Sequence, residues 1–120
     1  MVVSSDNGPW FQGSPGRLRG RKGDTFEGGM REPFIAHCPR LIPTQVRERR
    51  PVRRIVDAMA STLDLVPTIA GLAGAPLPAV PLDGVDILPL ITGDAASVAR
   101  DPLLYFSGWD LQCARMGPWK

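Results

Sequence analysis

The sequence is short of the residues that usually announce a catalytic or metal centre. It has one histidine and two cysteines in 120 residues. Cys38 and Cys113 stand far apart with no CxxC spacing, which excludes a zinc ribbon and leaves open whether they pair. Aromatic residues make up only 7%, which limits the core such a chain can build. No run approaches the roughly 18 apolar residues of a membrane span. Met1–Asp6 turns polar too soon for a signal peptide. With 14 Lys+Arg against 12 Asp+Glu the net charge is +2, too small for a global nucleic-acid footprint. In excess are glycine and proline, 13 of each, without a period. That excludes collagen and argues for loops over long helices, in one domain at most.

Along the chain, Val2–Val3 read as the end of a strand, cut by the turn chemistry of Asp6-Asn7-Gly8-Pro9. From Gly8 to Gly29, glycines and prolines are interleaved with Arg17, Arg19, Arg21 and Lys22, the composition of a long basic surface loop. Pro33-Phe34-Ile35-Ala36-His37 reads as a short core strand. Ile55, Val56, Ala58 and Met59 suggest a further strand or helical turn. Asp64–Ala73 is the best helix, with Asp64 as cap, Pro67 in the first turn, Gly74 as stop, and Leu65, Ile69 and Leu72 on one face. One or two helical turns are expected over Asp86–Ile91. A hairpin is expected from Leu103–Phe106 and Leu111–Arg115 around Ser107-Gly108-Trp109-Asp110. Trp119-Lys120 reads as the opening of another strand, and both ends read as cut.

Asp6 and Asn7 fall at the C-terminal end of a strand, the edge where open α/β sheets place their sites. A carboxylate and an amide oxygen side by side are hard ligands suited to Ca²⁺ or Mg²⁺. Such an ion wants about six oxygens, so the rest would come from elsewhere, and turn chemistry alone also accounts for the pair. Lys22, between Gly20 and Gly23, offers a compact cation beside freed backbone N–H groups, suited to sulfate or phosphate. Its spacing is not that of a P-loop, and a solvated loop lysine is the plain alternative. Trp10 and Phe11 fit either a substrate mouth or loop packing.

Ser5-Asp6-Asn7-Gly8-Pro9, then Leu18–Ile35 with its Gly20-Arg21-Lys22-Gly23-Asp24-Thr25-Phe26-Glu27-Gly28-Gly29-Met30-Arg31-Glu32-Pro33, then Ser61–Ile69, then Leu82–Gly93 closely resemble the arylsulfatase-type sulfatases of the alkaline phosphatase superfamily. The resemblance implies an α/β fold, a partial mixed sheet flanked by helices that runs into a small antiparallel C-terminal subdomain. Residues 1–93 would be the later part of the catalytic domain and 94–120 the start of the smaller one. It further implies that Asp6 and Asn7 ligate calcium and that Lys22 contacts the sulfate group; Trp10, from its place after the Asp-Asn pair alone, is a weaker candidate substrate contact. The reaction implied is hydrolysis of a sulfate ester, with a formylglycine made from the cysteine of Cys-x-Pro-x-Arg as nucleophile.

The departures bear on what the chain does alone. It contains no Cys-x-Pro-x-Arg and no preceding aspartate pair. In Cys38-Pro39-Arg40 the cysteine and proline are adjacent, so Cys38 is not expected to be the nucleophile. Asp24 stands where the family has Thr or Ser and is placed to pair with Lys22. Glu27, Arg31 and Glu32 are expected to hold the loop, and His37 to be structural. Arg47, Arg49, Arg50, Arg53 and Arg54 form a basic cluster interrupted by Glu48 and Pro51, without aromatic residues for stacking, which argues for a solvated face. The partners expected are a sulfate ester, with no nucleic acid and no membrane. The isolated piece is expected to be inactive and poorly stable. The rival readings are a non-catalytic remnant or interaction piece and, behind it, a small basic nucleic-acid binder. Periplasmic, secreted and lysosome-like compartments all agree with the resemblance.

Overall fold

The computed structural model describes residues 1–42, 45–47, 50–52 and 54–120. Its elements follow the order β1 (Val2–Ser4), α1 (Glu27–Met30), β2 (Phe34–Ala36), β3 (Gln45–Arg47), β4 (Arg50–Val52), α2 (Leu65–Ala73), α3 (Leu88–Thr92), β5 (Leu103–Ser107) and β6 (Asp110–Arg115). Both α and β elements are present, as expected for an α/β chain. The described strands pair in three antiparallel two-stranded sheets, β1 with β2, β3 with β4 and β5 with β6. The packing divides the chain into two units: Met1–His37 with Pro102–Lys120, and Cys38–Asp101.

In the first unit, β1 and β2 set Val3 opposite Ile35, and mutual hydrogen bonds between Met1 and His37 extend the ladder by one pair. The strand at Phe34–Ala36 lies where the apolar run predicts it. It is not a core strand among the described residues, however: Phe34 is 40% and Ile35 57% exposed. β5 and β6 form the expected hairpin, with Gly108 and Trp109 as its two-residue turn and a register shift beyond Tyr105 that leaves Gln112 as the extra residue. The chain then closes on itself through reciprocal hydrogen bonds between Met116 and Trp119, a turn rather than a further strand.

In the second unit, residues 54–60 hold no helix or strand, so the element expected around Ile55–Met59 is absent. A 3-10 turn, Thr62–Asp64, leads into α2. Ser61, in extended backbone, accepts from the Leu63 N–H, and the Asp64 carboxylate accepts from the Ser61 N–H at 2.7 Å, a reciprocal capping box. Ser61 is therefore the cap and Asp64 its third-residue partner; at α2 itself Asp64 makes no side-chain capping bond, contrary to expectation. Gly74 ends α2 with φ +63°, a left-handed conformation that costs glycine nothing and other residues about 1 kcal/mol or more.

The face of α2 that packs is not the predicted apolar one. Ile69 and Leu72 are exposed, while Pro67 and Thr68 are buried. The physical reason is a polar node at the start of the helix. Thr68 Oγ1 donates to the Asp64 carbonyl at 2.7 Å and accepts from the Ile87 N–H at 2.9 Å. Asp64 Oδ1 accepts from the Val85 N–H, and its Oδ2 accepts from Arg100 Nη1 at 2.7 Å. These bonds draw the segment before α3 against Thr68 and bury Ile87 and Leu90, the only two fully buried large apolar side chains among the described residues. Asp86 Oδ1 accepts from the Leu88 N–H at the start of α3, where Pro89 is tolerated in the first turn.

Candidate functional site

The candidate residues gather in the first unit, around α1. Asp6 and Asn7 follow β1 after Ser5, and Asp6 is exposed. The Asn7 side-chain amide donates to Asp6 Oδ2 at 2.6 Å, so the two side chains turn together. Asp6 Oδ1 and Asn7 Oδ1 then have no hydrogen-bond partner among the described residues. Two hard oxygens on neighbouring residues fit part of a Ca²⁺ shell, which takes six to eight. Among the described residues no group of three or more His, Cys, Asp or Glu side chains gathers to supply the remainder.

Lys22 is brought to this strand end by its backbone. Its N–H donates to the Pro9 carbonyl at 3.2 Å, two residues beyond Asn7. Its side chain is exposed, with Nζ 5.9 Å from the Trp10 ring centroid. Trp10 in turn meets Phe11 edge to face at 4.7 Å, and both rings are largely exposed. Asp6, Asn7, Trp10 and Lys22 therefore lie on one turn-and-loop assembly, with a carboxylate, an amide, an aromatic plane and an ammonium.

Asp24 does not pair with Lys22. Its carboxylate accepts from the Arg21 N–H at 2.9 Å while its own N–H donates to the Arg21 carbonyl, closing a tight turn that keeps the acid on the backbone. Arg21 is committed as well: its Nη1 donates to the carbonyls of Trp10, Phe11 and Gly13. Arg19 lies over the Phe26 ring at 3.8 Å. Lys22 is the loop's one ammonium, and among the described residues its head has no hydrogen-bond partner, lying only beside the Trp10 ring.

The loop is clamped to the strand end where glycine permits close approach. Gly8 N–H donates to the Gly29 carbonyl, and Gly28 N–H donates to the Arg19 carbonyl at 2.7 Å. A Cβ on Gly8 would overlap the Gly28 carbonyl, and one on Gly28 would overlap the carbonyls of Gly20 and Arg19. Glu27 is the loop-holding acid that was expected. Its Oε2 takes Arg115 Nη1 at 2.6 Å and its Oε1 takes Lys120 Nζ at 3.0 Å. Burial pushes the Glu27 carboxyl up, but hydrogen bonds from Arg115 and Lys120 and their charges outweigh that and hold it below its ordinary value. The hydrogen bond to Glu27 raises the Arg115 guanidinium in turn. Arg31 and Glu32 make no such bonds among the described residues, and Glu32 Oε1 is buried without a partner. Sequence reasoning missed Arg115 and Lys120, whose partner lies about ninety positions away.

Elsewhere, His37 contributes its backbone to the β1–β2 ladder and its ring is exposed. Cys38 and Cys113 are both free thiols. Of the arginine cluster, Arg49 and Arg53 lie outside the described residues, as do the side chains of Arg47 and Arg50. Arg54 Nη1 reaches the Ile91 carbonyl at 3.4 Å, serving the C-terminal end of α3. Among the described residues no helix is long and apolar enough to cross a membrane.

Known proteins resemble the chain over most of its length. The sulfatase family model matches residues 1–75. Human arylsulfatase A is 42% identical over 110 residues, covering 88% of this chain and 20% of its own length. Mouse steryl-sulfatase is 39% identical over 104 residues, covering 86% of this chain and 15% of its own. Dog N-acetylgalactosamine-6-sulfatase is 36% identical over 127 residues, covering 100% of this chain and 22% of its own. The chain thus spans about a fifth of the length of these relatives. With the Asp-Asn turn and the lysine loop both inside the matched residues, the chain belongs to the sulfatase family.

Proposed function

We propose that the protein carrying this chain hydrolyses sulfate esters, with residues 1–93 forming the later part of its catalytic domain, built on an alkaline-phosphatase-like mixed sheet, and 94–120 the start of a smaller domain. The observation that carries the reading is the Lys22–Pro9 hydrogen bond, which joins the loop bearing an uncommitted ammonium to the strand end bearing Asp6 and Asn7. Family membership supports the same reading.

In this reading the Lys22 ammonium holds a sulfate oxygen and balances charge on the transferring group, the preorganised electrostatics such a step needs. Arg21 and Asp24 keep that loop rigid by spending their own polar groups on its backbone. Asp6 and Asn7 supply two oxygens to a calcium ion, which when bound adds positive charge at the sulfate. The nucleophile would be a formylglycine outside these 120 residues, supplying the attacking oxygen. Trp10 lies beside Lys22 and packs against the ester's organic group. The resemblance agrees with an aryl, carbohydrate or steroid sulfate.

The test is an aryl-sulfate assay of the intact gene product. Lys22→Ala should lower kcat/KM by about a hundredfold or more, the scale of losing one charge-stabilising donor. Asp6→Ala should weaken calcium binding in calorimetry. Full activity in both variants would overturn the assignment. Absence of Cys-x-Pro-x-Arg from the intact product would favour the non-catalytic reading. Binding to DNA or RNA that falls steeply with salt would favour the nucleic-acid reading.

A further inference from the structure

We propose that Glu27 is a positioning residue that sets the place of Lys22 relative to Asp6 and Asn7, through an anchor on Arg115 and Lys120. The proposal rests on the sulfatase reading above. α1 is a single turn, Glu27–Met30, far too short to hold itself together in water. Yet the geometry of the site runs through it. Its Gly29 carbonyl receives Gly8, the residue after Asn7, and its Gly28 N–H grips Arg19, three residues before Lys22. The strand end and the lysine loop therefore both hang on this turn.

Within the turn, two residues are glycines and Met30 is apolar, so Glu27 is the only side chain able to anchor it by polar contacts. It does so with both oxygens. One meets Arg115 at the end of β6, and the other meets Lys120. Lys120 also donates to the Thr25 carbonyl and sits 4.3 Å from the Tyr105 ring centroid, so the chain on both sides of Phe26 is tied to the same cation. The three side chains are each between 20% and 27% exposed, which shields the pairs from the screening that weakens fully exposed ones. No group of the triad reaches Asp6, Asn7 or Lys22 among these contacts, so its action on sulfate is indirect.

The experiment uses the intact protein, with Glu27→Gln made alone and on a Lys22→Ala background. Inorganic sulfate is the probe, and amide hydrogen exchange is the second readout. Glu27→Gln should weaken sulfate binding about tenfold, and by less than about twofold where Lys22 is already gone, since the two act as one unit. Exchange at the Gly8 and Lys22 amides should rise about tenfold, with Ile87 and Leu90 unchanged, as local opening requires. Unchanged exchange at Gly8 and Lys22, or an equal loss of sulfate affinity with and without Lys22, would overturn the proposal. If sulfate binding in the parent is indifferent to Lys22→Ala, the sulfate reading fails, and the exchange readout alone decides whether Glu27 sets the loop. Should Glu27→Gln not fold, Lys120→Ala removes one arm from the periphery and should act in the same direction, by about threefold.

Discussion

Two carboxylates do most of the organising, and they do it under different physical conditions. Glu27 is partly exposed and has two cationic partners that hold its pKa below its ordinary value. A group with a depressed folded pKa contributes stability that is present above its unfolded value and is lost as pH falls through the folded one. The melting difference between the parent and Glu27→Gln should therefore be full near neutrality, begin to shrink as pH falls past the ordinary glutamate value of about 4.3, and vanish only below the depressed folded value. Thermal melts across that range check the sign. Asp64 is completely buried and receives hydrogen bonds from Ser61, Val85 and Arg100. Arg100 has its Nε and Nη2 buried without partners, so Asp64 carries the compensation of that charge. Asp64→Ala leaves the guanidinium uncompensated and should destabilise by about 3–5 kcal/mol, measured by urea unfolding.

At the scale of elements, α1 and α2 invert the usual relation between sequence pattern and packing. α1 has almost no side chains to bury and serves as a spacer thin enough for two backbones to meet. Gly28→Ala pushes a methyl group into the carbonyls of Gly20 and Arg19. It should cost about 1–3 kcal/mol and open the Arg19–Gly28 hydrogen bond, visible as faster exchange of the Gly28 amide. α2 carries the clear apolar stripe, and its start, turn proline and glycine stop were all legible from spacing. The stripe did not reveal which side packs. Thr68 does the packing, because a hydroxyl that both donates to Asp64 and accepts from Ile87 draws the next segment onto its own side of the helix.

For the whole molecule, apolar residues outnumber the places to put them. Among the described residues Ile87 and Leu90 are the fully buried large apolar side chains, whereas Val3, Ile35, Ile69, Leu72, Leu104 and Phe106 lie open. A fully buried aliphatic side chain stabilises by about 1.5–3 kcal/mol, and chain entropy costs about 1–2 kcal/mol per residue, so so small a core cannot carry 120 residues far. The isolated chain should melt over a broad range and bind a hydrophobic dye before heating. A sharp, cooperative calorimetric transition without dye binding would count against that.

Much of this was open to reading from residue order alone. The short strands at Val2–Ser4 and Phe34–Ala36, the helix ending at Gly74 and the Ser107–Asp110 hairpin follow from local rules, since glycine, proline and capping residues act within a few positions of themselves. So does the family, carried by motifs whose spacing survives without any structure. Asp6, Asn7 and Lys22 stand out as candidates for the same reason. Neighbours in space but not in sequence do not stand out. Nothing in the spacing shows that Asp24 would turn to the Arg21 backbone instead of Lys22, that Arg100 would reach Asp64, or that Arg115 and Lys120 would close on Glu27. Those pairings depend on which backbones the folded chain brings within 3 Å, and at that range a hydrogen bond exists or does not. The local chemistry of the site therefore belongs to the sequence, and the relative placement of its parts to the tertiary structure.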